Sequence, residues 1–236
     1  ILYFLKILPI YRIRDGFDSL KNNQETFAKA ADVLNAGNGL VILPEGNHAG
    51  MRRLRPLKKG FARIAFQTEE ANDFNLDIKI VPIGIDYSDY SNYRSTLLIN
   101  FGNPISVSDY YEQYKENQPL ALNQLKDELT TELKKVIINI NSKEYYHLYN
   151  ELRGIYSNRY CEKLGFSNGD QPNKFNADKL LIDKLAKFEA EKPAEIKSLA
   201  SLVNKYTRGL KNAKISSPLF EEDSVSLIKL IAAGFI

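Results

Sequence analysis

The sequence predicts an α/β fold: a mixed β-sheet flanked by helices, followed by a C-terminal helical extension. Three observations predict it. Short apolar runs alternate with helical patterns over residues 1–140. Apolar residues, mostly leucines, recurring at three- to four-residue spacing close that region. Beyond Asn141 no further strand-like run appears, and helical patterns take over.

Taken in order, residues 4–13 read as a buried strand with a short apolar lead-in, ended by the Asp15-Gly16 turn signal. Asp18 or Ser19 can cap a helix to Ala36, with Leu20, Phe27, Ala31 and Leu34 near one face and Gly37 as its stop. Leu40-Val41-Ile42-Leu43 is a continuous apolar run of the kind buried on both faces of a sheet. A second helix fits Lys59 to Glu70, Ile78 to Ile85 is another buried strand, and Leu97 to Phe101 a third. Ser108 opens a Tyr-rich helical stretch. Leu122, Leu125, Leu129, Leu133, Val136 and Ile140 then mark a long amphipathic helix.

Past residue 141, five tyrosines between Tyr145 and Tyr160 sit in a polar helical setting. Residues 167–176 read as a loop rich in Asn, Gly, Asp and Pro. Helices are expected over Ala177–Glu191 and Ala194–Arg208, the second with a stripe of Ile196, Leu199, Val203 and Tyr206 and with Gly209 as its cap. The expected organisation is an α/β domain over 1–140, a helical extension over 141–223, and a short apolar segment over 224–236.

Composition narrows the function. The 236 residues carry 32 Lys and Arg against 29 Asp and Glu, a net charge of +3. That is too weak for a histone-like role, so any anion site must come from local clustering. An apolar content of 44% excludes disorder for most of the chain. The single Cys161 excludes a disulfide framework and a Cys-based zinc site, and favours a reducing compartment. His48 and His147 alone leave little room for a His-rich metal site. No apolar run reaches the ~18–20 residues that cross a bilayer.

The chain starts at Ile1 and ends within the apolar run Val225–Ile236. The expectation is an excised fragment whose last residues begin a membrane-anchoring helix, with Lys229 reaching to the interface.

Chemistry concentrates in Leu43 to Arg63, LPEGNHAGMRRLRPLKKGFAR. Arg52, Arg53, Arg55, Lys58, Lys59 and Arg63 lie here, and no acidic residue occurs between Gly46 and Thr68. A buried strand, a Gly turn, a cationic loop and a helix start together form a recipe for holding an anion, through backbone N–H groups, partial helix charge and cationic side chains.

LPEGNHA, then PLKKGFARIA, then Val81-Pro82-Ile83-Gly84 resembles the third and fourth sequence blocks of the glycerolipid acyltransferases. ILPIYRIRDG resembles the second, with Arg12 in the arginine position. The resemblance spans about residues 1 to 140. It implies transfer of a fatty-acyl group from acyl-CoA or acyl carrier protein to a glycerol-phosphate or lysophospholipid hydroxyl. It also implies acceptor contacts from Arg12, Glu45, Gly46, Asn47 and His48, with Lys58 and Lys59 nearby; for Glu45 the alternative is a carboxylate that pairs with a basic neighbour to hold the loop. No cofactor is implied.

Asn47-His48 replaces the family's Thr-Arg, whose arginine is understood to grip the acceptor phosphate. A histidine with an ordinary pKa of ~6.5 is a weaker cation, and Arg52 or Arg53 could take over. The family's His-x4-Asp block, which supplies the general base, is absent: Arg53 stands five residues after His48 and Leu152 five after His147. The fragment is therefore expected to be inactive by itself.

A lipid acceptor implies contact with a membrane surface and residence on its cytosolic face. Two other readings stay open: a non-catalytic module for anionic lipid or another anion, and acyl transfer to an acceptor such as an amino-acid lipid. Nucleic acid is disfavoured, because the basic residues sit in one loop with no stacking aromatics. Asp86, Tyr87 and Asp89 read as a polar loop, and His147 as a packed or surface side chain.

Overall fold

The computed structural model describes residues 6–9, 22–47, 50–88, 95–167 and 170–214. The expected strand over 4–13, Arg12, His48, Asp89 and the Val225–Ile236 run lie wholly or largely outside them. The order is α1 (Asn22–Asn35), α2 (Gly60–Ala71), β1 (Lys79–Ile80), β2 (Ile83–Tyr87), β3 (Leu97–Phe101), β4 (Ile105–Ser106), a 3₁₀ turn (Val107–Tyr110), α3 (Tyr111–Glu116), α4 (Gln118–Val136), α5 (Tyr146–Lys163), α6 (Gln171–Glu191) and α7 (Pro193–Ala213). This is the expected α/β class with a helical C-terminal extension. The described strands form two two-stranded sheets, β1 with β4 and β2 with β3.

Two compact units divide the chain. The first gathers the described residues of Ile1–Gly50, Leu54–Gly84 and Ile99–Ile137; the second gathers those of Met51–Arg53, Ile85–Leu98 and Ile138–Ile236.

In the first unit, α2 and α4 supply the core. Phe61, Ala62, Ala65 and Phe66 meet Ala121, Leu125, Leu129, Leu133 and Val136. Those spacings put each set on one helical face. Phe66 stacks flat on Tyr114, ring centroids 4.3 Å apart. Asn117 accepts the Leu120 N–H at 3.1 Å and Pro119 fills the first turn, so α4 starts with its cap in place. The fully buried Glu69 accepts from the N–H groups of Leu76 (3.1 Å) and Ile78 (2.6 Å). Its carboxylate thus holds the turn from α2 into β1. β1 and β4 run antiparallel, Lys79 opposite Ser106 and Ile80 opposite Ile105.

In the second unit, α5, α6 and α7 share one core. Ile140, Tyr149, Leu152, Leu181, Leu185, Ile196 and Val203 are its most buried members. α5 ends in a left-handed Gly165, with Phe166 N–H on Cys161 O and Gly165 N–H on Glu162 O, a Schellman stop. A buried ion pair, Arg153 Nη1 to Asp178 Oδ2 at 2.9 Å, ties α5 to α6.

Several expectations are corrected. Leu40–Leu43 belongs to no strand, and Val41 and Leu43 are 83% and 77% exposed. Ile42 packs on the core and Leu40 is half-buried, so one face is covered and the other is not. Ile78–Ile85 is two strands, broken at Val81-Pro82, because proline donates no ladder bond. β2 alternates exposed and buried side chains instead of burying both faces, and β3 likewise turns Leu97, Ile99 and Phe101 outward. α4 stops at Val136, so Ile140 lies beyond it in the second unit.

The loop expected over 167–176 gives way to α6 from Gln171, where Pro172 sits in the first turn. A proline that reads as a loop signal is also at home at a helix start. α7 runs from Pro193 through Gly209 to Ala213, stopping at a left-handed Lys214. Gly209 costs the helix about 1 kcal/mol, and the good helix formers after it carry the helix on.

Candidate functional site

The turn Leu43-Pro44-Glu45-Gly46 is closed by Gly46 N–H on Leu43 O at 3.2 Å. Proline presets the second position, and Gly46 takes φ +74°, which favours a residue without a Cβ. A Cβ there would touch Lys58 Cγ at 3.8 Å, so the turn lies against the stem of that lysine. Lys58 N–H donates to Pro44 O at 2.8 Å, and Arg55 N–H to Glu45 Oε2 at 2.9 Å. Leu57 packs into the first core with only 7% exposure. It anchors the segment between Arg55 and the solvent-exposed Lys58.

Lys59 is the residue before the first turn of α2, and its side chain caps nothing. No acidic residue lies in that turn. The leading N–H groups and partial positive charge of α2 therefore begin directly after Lys58 and Lys59. Arg63 is exposed one turn on. Of the expected site residues, Glu45, Gly46, Lys58 and Lys59 are brought together by these bonds. Asn47 is exposed beside the turn, with no bond to them shown. Arg12 and His48 lie outside the described residues.

Arg52 and Arg53 do something else. They belong to the second unit, where the Arg52 guanidinium pairs with the buried Asp86 and donates to Tyr87 O at 3.1 Å. Arg52 N–H donates to Tyr146 Oη at 2.7 Å, and Ile140 N–H to Arg52 O at 2.8 Å. Arg53 donates through Nε to Ile140 O at 2.9 Å and through Nη2 to Ser142 O, with its guanidinium over the Tyr146 ring. Both arginines hold backbone and ring partners, so neither stands ready to replace a phosphate-gripping arginine. Asp86 and Tyr87, expected in a polar loop, are the end of β2 and part of this knot. His147 is exposed, its ring set edge-on to Tyr146.

Sequence reasoning missed the Arg55 amide and the Tyr146 hydroxyl. Nothing in the spacing of the tyrosines distinguishes Tyr146 from its neighbours. Among the described residues no cluster of three metal-ligating side chains occurs, and no helix is long and apolar enough to cross a membrane.

A turn tied to a cationic helix start is an arrangement that can hold an anion. Residues 1–86 match the family described as Acyltransferase. The sequence blocks that resemble the glycerolipid acyltransferases all lie within those residues, and the match supports that resemblance. Among similar proteins is glycerol-3-phosphate O-acyltransferase 2 of Saccharomyces cerevisiae, 31% identical over 119 residues, 50% of this chain and 16% of that protein. Glycerol-3-phosphate O-acyltransferase 1 of the same yeast is 25% identical over 201 residues, 84% of this chain and 25% of that protein. An uncharacterised acyltransferase of Schizosaccharomyces pombe is 30% identical over 80 residues, 34% of this chain and 12% of that protein. The chain thus spans a quarter or less of the length of these relatives. No solved structure matches it.

Proposed function

We propose that this chain carries the acceptor-holding part of a glycerolipid O-acyltransferase. The whole protein moves a fatty-acyl group from acyl-CoA or acyl carrier protein to a hydroxyl of glycerol 3-phosphate or a lysophospholipid. The observation that carries this reading is the tie between the Leu43–Gly46 turn and the Arg55–Lys59 segment at the start of α2. The names of the two yeast relatives support glycerol 3-phosphate as the acceptor type.

In this reading Lys58, Lys59 and the first N–H groups of α2 face the phosphate, joined by Arg12, Asn47 and His48. Charge-assisted bonds of this kind fix the acceptor so that its free hydroxyl meets the thioester carbonyl. A general base removes the hydroxyl proton, the oxygen attacks the carbonyl, and the thiolate leaves. Neither His48 nor His147 has an aspartate five residues on, so we assign the base to neither. The isolated chain binds acceptor without turning it over.

Titration calorimetry tests this. Glycerol 3-phosphate is expected to bind the chain, glycerol is not, and the double variant Lys58→Ala/Lys59→Ala is expected to weaken binding about tenfold or more. Equal affinity for glycerol and glycerol 3-phosphate refutes the reading. A chain that binds inorganic phosphate and anionic lipid alike, in a protein without acyl transfer, supports the anion-binding module instead. We place the protein on the cytosolic face of a membrane. Flotation with phosphatidylserine vesicles at low salt is the check, and a chain that stays in the soluble fraction contradicts it.

A further inference from the structure

Glu45 is a negative charge in a segment otherwise crowded with cations. A carboxylate facing a bound phosphate would repel it. The geometry gives it other work. Glu45 Oε2 accepts the Arg55 backbone N–H at 2.9 Å, across ten residues of sequence. Beside it, Lys58 N–H reaches back to Pro44 O at 2.8 Å. The two bonds close the neck of the loop: one by main chain alone, the other by a side chain that only accepts. Leu57, between the two donors, is held in the core.

We propose that Glu45 is a positioning residue. It fixes the Arg55 amide, and through it the register of Arg55, Lys58 and Lys59 against the Pro-Glu-Gly turn, and it makes no contact with the acceptor. This rests on the loop being the phosphate holder and says how that holder keeps its shape. The role needs an acceptor oxygen at the reach of a glutamate. It does not need a charge.

Two variants of the full chain separate oxygen from charge. Glu45→Gln and Glu45→Ala both remove the charge, and only the first keeps an oxygen at that reach. Amide hydrogen exchange reads the clamp, and titration with inorganic phosphate reads the site. The Arg55 amide is expected to stay protected in Glu45→Gln and to exchange about tenfold faster in Glu45→Ala. Phosphate is expected to bind Glu45→Gln about three- to tenfold more tightly than Glu45→Ala, the range one such hydrogen bond supplies.

If the two variants share both exchange rate and affinity, Glu45 acts through its charge and the proposal falls. If Glu45→Gln loses protection as Glu45→Ala does, it falls too. Protection that follows the oxygen in a chain with no affinity for phosphate upholds the clamp and refutes the phosphate-holder reading.

Discussion

At the scale of single residues, Gly84 shows how one missing side chain places a strand. A Cβ there would overlap the carbonyl of Val136, at the end of α4, and crowd Ile137. Backbone, not a flexible side-chain end, is the obstacle, so the neighbour cannot turn aside. Gly84→Ala is expected to cost about 1–3 kcal/mol of stability, read from the urea midpoint. Gly102 is the internal comparison. Its added Cβ would meet Pro82 Cβ and Val136 Cγ1 at 3.2 Å, tight contacts with side-chain atoms, so Gly102→Ala is expected to cost less. An unchanged midpoint in Gly84→Ala contradicts this packing. The sequence shows Gly84 only as part of the Val-Pro-Ile-Gly motif; the reason for it lies 52 residues away.

At the scale of elements, helices were legible and strands less so. α2 and α4 announce themselves because their apolar residues return every three or four positions, a pattern the sequence holds locally. The start of α6 and the end of α7 depart from the local pattern for a local reason as well: Pro172 and Gly209 each have two meanings, and neighbours decide between them. Leu40–Leu43 is different. Four apolar residues in a row say that a segment is fit for burial on both faces. They do not say that a partner strand lies alongside, and none is paired with it among the described residues.

The same holds for the candidate site. Residue types and their order gave the turn, the lysines and the helix start, whereas the partners of Arg52 and Arg53 lie 34 to 94 residues away and left no mark in the local pattern.

At the scale of the whole molecule, buried tyrosines are expected to contribute to the response to alkali. Burial pushes the Tyr149 phenol well above its ordinary range, and the Glu189 carboxylate that accepts its proton adds to the shift. Tyr111 and Tyr114 of the first unit shift the same way, burial again first. A folded pKa raised above the unfolded value of ~10 leaves stability untouched below that pH. Above it, the unfolded chain sheds its protons first, and stability falls as pH rises. Stability read from urea unfolding is expected to hold to about pH 9.5 and then to fall, by at most about 1.4 kcal/mol per pH unit for each fully buried phenol. Tyr149→Phe should flatten part of that slope, and a slope unaltered by it would remove Tyr149 from the account.

Lys58 is exposed to water, although its stem lies against the Gly46 turn. An ammonium so placed attracts every small counterion in reach, and at ~0.15 M ionic strength its field fades within about 8 Å. On the proposed reading, occupancy of the loop by an anion is expected to rise as the concentration of competing salt falls.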